Sequence, residues 1–224
     1  KETQFEISLP ETVGAKAPRL LTPRETILEQ ERTLTLEDKG DSRKYYVYVK
    51  GDVVYTTDQV ADAITKANEN MGVVVGKDQK YIWKRSRDAI RPALSDIAVG
   101  AEDASSNSIA QCINAMLEKE GINISVSALI AGGETPKNIL SNTMKDARIL
   151  DLTGCSVEEV LYYVSCGNPV FAMTGSDEAV LVVGYDANNV IIFDPSTGSN
   201  FKQSLTDADE VFKEAGNVFF TYLK

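Results

Sequence analysis

Beyond residue 44 the apolar positions of this chain alternate between two spacings, and each change of spacing marks an element. Tyr45-Tyr-Val-Tyr-Val49 and Val53-Val-Tyr55 are β-branched and aromatic runs separated by Lys50-Gly51-Asp52, which predicts a hairpin. Val60, Ala63, Ile64 and Ala67 then recur at helical spacing, with Thr57 or Asp58 as the cap and Met71-Gly72 as the stop. Val73–Val75 and Lys80–Trp83 read as a second hairpin across Gly76-Lys77-Asp78. Further on, Ile109, Cys112, Ile113, Met116 and Leu117 recur at i, i+3, i+4, i+7 and i+8, the strongest helical stripe in the chain. It starts at Ser105 or Ser106 and stops at Gly121.

The remaining pattern predicts a helix over Ser125–Ala131 and another opening at Thr135-Pro136. A strand follows at Arg148–Leu152. Ser156-Val-Glu-Glu159 has the spacing of a capping box leading into a helix that Gly167 ends. Strands follow at Pro169–Met173, Ala179–Tyr185 and Val190–Phe193, the last two joined by Asp186-Ala-Asn-Asn189 as a tight turn. A short helix at Thr206–Lys213 and a strand at Val218–Tyr222 close the chain. Helices followed by antiparallel strands give an α+β fold, with N-terminal helices packed on an antiparallel sheet. Four segments result: an extended N-terminal arm over 1–39, with a short strand around Thr33–Leu36; a small α+β domain over 40–85; a linker with a helical start over 86–104, ending in Gly100-Ala-Glu-Asp-Ala104; and a larger domain over 105–224.

Charge narrows the partners. The chain has 224 residues and a net charge of −10. Residues 1–104 hold 16 basic and 18 acidic side chains, residues 105–224 hold 7 and 15. An acidic half of that kind repels phosphate backbones, so no nucleic acid is expected as partner. No apolar run approaches the roughly 18–20 residues of a membrane span. Beginning at Lys1, the chain reads as a segment of something longer. Cys112, Cys155 and Cys166 have no metal spacing, and without histidine a zinc site has too few ligands, so neither metal nor cofactor is expected. A Cys155–Cys166 disulfide is one state open to the pair; buried free thiols are the other.

Histidine is absent from the whole chain, which removes the usual base for activating a cysteine or serine nucleophile. This matters because of three stretches in the second half: Gly167-Asn-Pro-Val170, Glu178-Ala-Val-Leu-Val-Val-Gly-Tyr-Asp186 and Asn189-Val-Ile-Ile-Phe-Asp-Pro195. They resemble the C39-like peptidases, cysteine peptidases of papain-like fold, over about half the chain. The resemblance implies a nucleophilic Cys opening a helix, a His leading the strand that ends Val-Gly-Tyr-Asp, an Asp before Pro, and an oxyanion Gln. Carried over, these fall on Ile109, Glu178, Asp194 and Asp103, of which only Asp194 keeps the family's residue. A register slipped by three would make Cys112 the nucleophile with Ser106 at the Gln position. Glu178, an anion, would then raise the thiol rather than activate it. The stripe places Cys112 in the core.

The chain is therefore expected not to be an enzyme: a peptidase-like module of a larger bacterial envelope or secreted protein, Gram-positive by analogy. Its former cleft (Ile109, Cys112, Glu178, Asp194) would hold a peptide or protein partner. A pure scaffold and a residual Cys112 peptidase are the alternatives. Asp177, Glu178 and Asp194 would suit a hard cation but read as an acidic rim. Ser105-Ser-Asn-Ser108 is helix-cap chemistry. Lys84, Arg85, Arg87 and Arg91 form a basic stripe expected to meet the acidic second half, with Tyr81 and Trp83 as packing.

Overall fold

The structure, a computed structural model, describes residues 44–224; the expected arm and its strand near Thr33–Leu36 lie outside the described residues. Strands β1 (Tyr45–Val49), β2 (Asp52–Thr57), β3 (Val73–Gly76) and β4 (Tyr81–Lys84) form an antiparallel sheet in the order β2-β1-β3-β4. Helix α1 (Val60–Glu69) lays Val60, Ala63, Ile64 and Ala67 against it. Its N-cap is Gln59, not Thr57 or Asp58. The Thr57 hydroxyl instead accepts from the Gln59 N–H at 3.1 Å, so the turn, not a side-chain cap, sets the helix start.

The second sheet has six strands: β5 (Arg148–Asp151), β6 (Val170–Met173), β7 (Ala179–Tyr185), β8 (Asn189–Asp194), β9 (Ser199–Ser204) and β10 (Phe219–Leu223), in the order β5-β10-β6-β7-β8-β9, all antiparallel. Both its faces are covered. Helices α2 (Ser108–Lys119), α3 (Val126–Ala131) and α4 (Pro136–Thr143) lie on one, α5 (Val157–Ser165) and α6 (Leu205–Glu214) on the other. The period-two rule sorts the strands accordingly: Phe171, Leu181 and Phe193 join the α2 side, Val170, Val182 and Ile192 the α5 side. A sheet buried on both faces explains why β6 and β7 are nearly all apolar.

The α5-side core runs without a break into the first sheet, uniting Val47, Ile64 and Trp83 with Val160, Val164 and Val182. Trp83 Nε1 donates to the Glu159 carbonyl at 2.9 Å, Asn68 Nδ2 donates to Glu159 Oε1 at 3.0 Å, and Arg148 pairs with Asp78 at 2.8 Å.

The stretch 86–104 contains no helix. Its apolar residues are spent instead on β7. Arg91 and Tyr185 exchange backbone hydrogen bonds at 2.8 Å, and the Leu94 N–H donates to the Val183 carbonyl. Gly184 permits this approach, since a Cβ there would lie 2.8 Å from the Arg91 carbonyl oxygen. Residues 100–104 are held too: Asn114 Oδ1 accepts from the Gly100 N–H, and Gln111 Nε2 donates to the Ala104 carbonyl.

Candidate functional site

Helix α2 begins at Asn107, whose side chain accepts from the Ala110 N–H at 2.9 Å, so the cap lies past Ser105 and Ser106. Ser108 Oγ accepts from the Ala179 N–H at 3.0 Å, tying the helix start to the first residue of β7. Ile109 and Glu178 are thus neighbours of one bonded pair, and the structure does bring those two positions to one seam. Ile109 is half-buried against the α2-side core, while Glu178 and Asp177 are exposed.

Cys112 lies one turn further along and is 0% exposed. Burial pushes its thiol far above the ordinary range, and the Asp194 carboxylate adds to the rise. Asp194 is therefore within electrostatic reach of the sulfur, but its oxygens are occupied. Oδ1 accepts from the Ser196 N–H (2.9 Å) and hydroxyl (2.6 Å), and Oδ2 from the Thr197 hydroxyl (3.0 Å). Those donors, the Ser196 hydroxyl foremost, hold the carboxyl below the usual range. Its work in this fold is the turn from β8 to β9.

Asp103 does not face the seam. It is 0% exposed, and its two oxygens accept from the Val126 N–H (2.7 Å) and the Ser127 N–H (2.9 Å), which anchors α3. Ser106 Oγ donates to the Asp103 carbonyl at 2.7 Å. Among the described residues no three His, Cys, Asp or Glu side chains are grouped to hold a metal ion. All three cysteines are free. The Cys155–Cys166 disulfide is excluded by α5, which separates them: at 1.5 Å per residue the eleven intervening steps span about 16 Å, against the roughly 7 Å a bridge allows.

A second place gathers chemistry. Between β4 and the first turn of α5 lies a cavity of about 320 Å³, with Trp83 and Tyr162 in its wall and Lys84, Arg85, Arg87 and Glu158 around it. The Trp83 and Tyr162 rings are tilted at 60° with centroids 6.4 Å apart. Lys84 Nζ sits 3.9 Å over the Tyr81 ring, and the Arg87 guanidinium carbon lies 5.3 Å over the Tyr185 ring. Neither of these cations nor Arg85 enters an ion pair among the described residues. The basic stripe does meet the acidic half, then, but through a ring and through backbone rather than through carboxylates. Glu159, the nearest buried acid, is 7% exposed and engaged in the capping box with Ser156 and with Asn68. Sequence reasoning does not reach Tyr162 and Tyr185 as site residues because their partners are distant in the chain; the doubled aromatic Tyr162-Tyr163 is the available signal.

The chain matches no protein-family model and no curated protein. Among solved structures it is similar to a crystal structure from Bacillus anthracis provisionally described as a C39-like peptidase, at 19% identity and a TM-score of 0.44, covering 63% of this chain and 96% of that one. The expectation that this chain is not an enzyme is corrected here. The similar protein carries a peptidase description, and the exclusion of catalysis drawn from Ile109 and Glu178 is withdrawn.

Proposed function

We propose that this chain binds a peptide or protein partner, and that the partner is held at the pocket between β4 and α5. The observation that carries the reading is the trio Lys84, Arg85 and Arg87, without ion-pair partners among the described residues on a chain of net charge −10. On so acidic a surface, three adjacent cations have ample acids to pair with. A concave site on which a few polar groups converge is a common setting for recognition. At the α2–β7 seam the opposite holds for Cys112 and Asp194, one buried and the other bonded within its own turn.

Trp83 is the single tryptophan of the chain and lies in the pocket wall, so its fluorescence reports occupancy. Selection of random peptides against the whole chain should enrich sequences that shift Trp83 emission saturably. A selection that enriches nothing removes the binding reading; enriched peptides that leave Trp83 emission unchanged move the site elsewhere.

A further inference from the structure

Resting on that reading, we infer that the pocket between β4 and α5 selects a short acidic peptide segment, one that presents Asp or Glu carboxylates to Arg85 and Arg87. Arg87 gives the chemistry. Its Nε is buried and has no hydrogen-bond partner, so the guanidinium has lost water on that side without gaining an acceptor. The Tyr185 ring beneath it offsets part of the charge. That ring is itself fixed: Tyr185 is buried, its hydroxyl donates to the Asp88 carbonyl at 2.9 Å, and its backbone pairs with Arg91. With its carbon held over a fixed ring, the guanidinium keeps N–H groups for an acceptor, and the planar fork suits a carboxylate. Arg85 is exposed beside it, and Lys84 is steadied by Tyr81.

The opposite wall limits how much negative charge can enter. Glu159 is bonded to the Ser156 N–H and to Asn68 and forms no ion pair with the cations among the described residues. Glu158, exposed on the same helical turn, faces the same cavity and repels a polyanion. Some 320 Å³ accommodates one or two side chains with their backbone, not a nucleic-acid strand. The partner that satisfies both walls has a localised carboxylate next to backbone N–H groups that Glu158 can accept.

The test titrates the whole chain, reading Trp83 emission, with matched short peptides in four forms: Asp/Glu-containing, the same with Asn/Gln, the same with Lys, and a phosphoserine form. The acidic form should bind at least about tenfold tighter than the amide form and weaken with added salt. Arg87→Gln should cost a further tenfold or so, and Arg85→Gln several-fold. Arg85 is exposed, so R85Q keeps the question open if R87Q does not fold by circular dichroism. Equal binding of acidic and amide peptides, full affinity in R85Q, or a clear preference for the phosphoserine form overturns the inference while the binding reading stands. Silence of Trp83 toward all four peptides overturns the inference and moves any partner away from this pocket.

Discussion

At the α2–β7 seam, Asp194 and Ser108 are each hydrogen-bonded within the fold and Cys112 is sealed in the core, whereas at the β4–α5 pocket three cations enter no ion pair among the described residues. The two regions lie on opposite faces of the same sheet and draw on the same acidic chain. A buried polar group left without partners costs about 1–3 kcal/mol, so folds eliminate such groups where nothing else requires them. The seam has been brought to that state. The pocket has not, and Arg87 Nε is its clearest remainder. What separates them is not residue type, since both contain charged groups, but whether those groups have been supplied with partners from within the chain.

The widest separation between the regions should appear in thiol reactivity. Cys112 and Cys155 are buried and burial pushes both thiols up, while Cys166 is exposed at the end of α5. Alkylation of the native chain at neutral pH should modify Cys166 first, with Cys112 slower by on the order of 1,000-fold, because it waits for local opening. Peptide mapping after timed quenching reads this directly. Labelling of Cys112 as fast as Cys166 would show the seam to be open.

Stability should divide in the same way. Trp83→Ala removes the ring that joins the small sheet to α5 and should cost about 3–5 kcal/mol, against about 1–2 kcal/mol for Ile109→Ala at the half-buried seam position. Urea denaturation followed by far-UV circular dichroism measures both. Equal losses would mean that α2 is clamped at its start as firmly as β4 is against α5.

These differences track what the sequence could and could not show. The stripe on α2, the capping box of α5 and the β7–β8 hairpin are local patterns, each legible within a dozen residues. Strand β9 is not: Ser199-Asn-Phe-Lys-Gln-Ser204 has one large apolar residue, lies at the sheet edge, and takes its register from β8 rather than from any alternation of its own. The pocket was hidden for a different reason. Trp83 and Glu159 stand 76 residues apart, and only the shared core brings them together. The basic stripe was visible; that its cations would meet rings instead of carboxylates was not. In contrast, the helix between Cys155 and Cys166 is legible in the sequence, yet their bridge stays open there and is excluded only by the structure.

Asp103 allows a smaller test of how the seam is braced. Asp103→Ala strips two backbone N–H groups of α3 of their acceptor and should cost about 2–4 kcal/mol, with Asp103→Asn losing about half as much. If position 103 instead served the α2–β7 seam, either change would disturb the environment of Cys112 and Ser108 before that of α3. Amide exchange resolved by residue distinguishes the two: protection should fall first at Val126 and Ser127.

The smallest effect concerns Asp194 and acid. The Ser196 and Thr197 donors lower its carboxyl pKa in the folded chain, so its contribution is present above the ordinary aspartate value near 3.9 and is lost as pH falls through the lower folded value. As pH falls below that ordinary value the β8–β9 turn should therefore loosen while β4 and α5 remain joined, because the Trp83 indole and the Glu159 carbonyl do not titrate. Chemical-shift titration of Ser196 and Thr197 amides against the Trp83 indole N–H follows both at once. Simultaneous movement of the two signals would mean that the turn and the pocket are one cooperative unit, and the contrast between the regions would then be one of chemistry alone, without a matching difference in local stability.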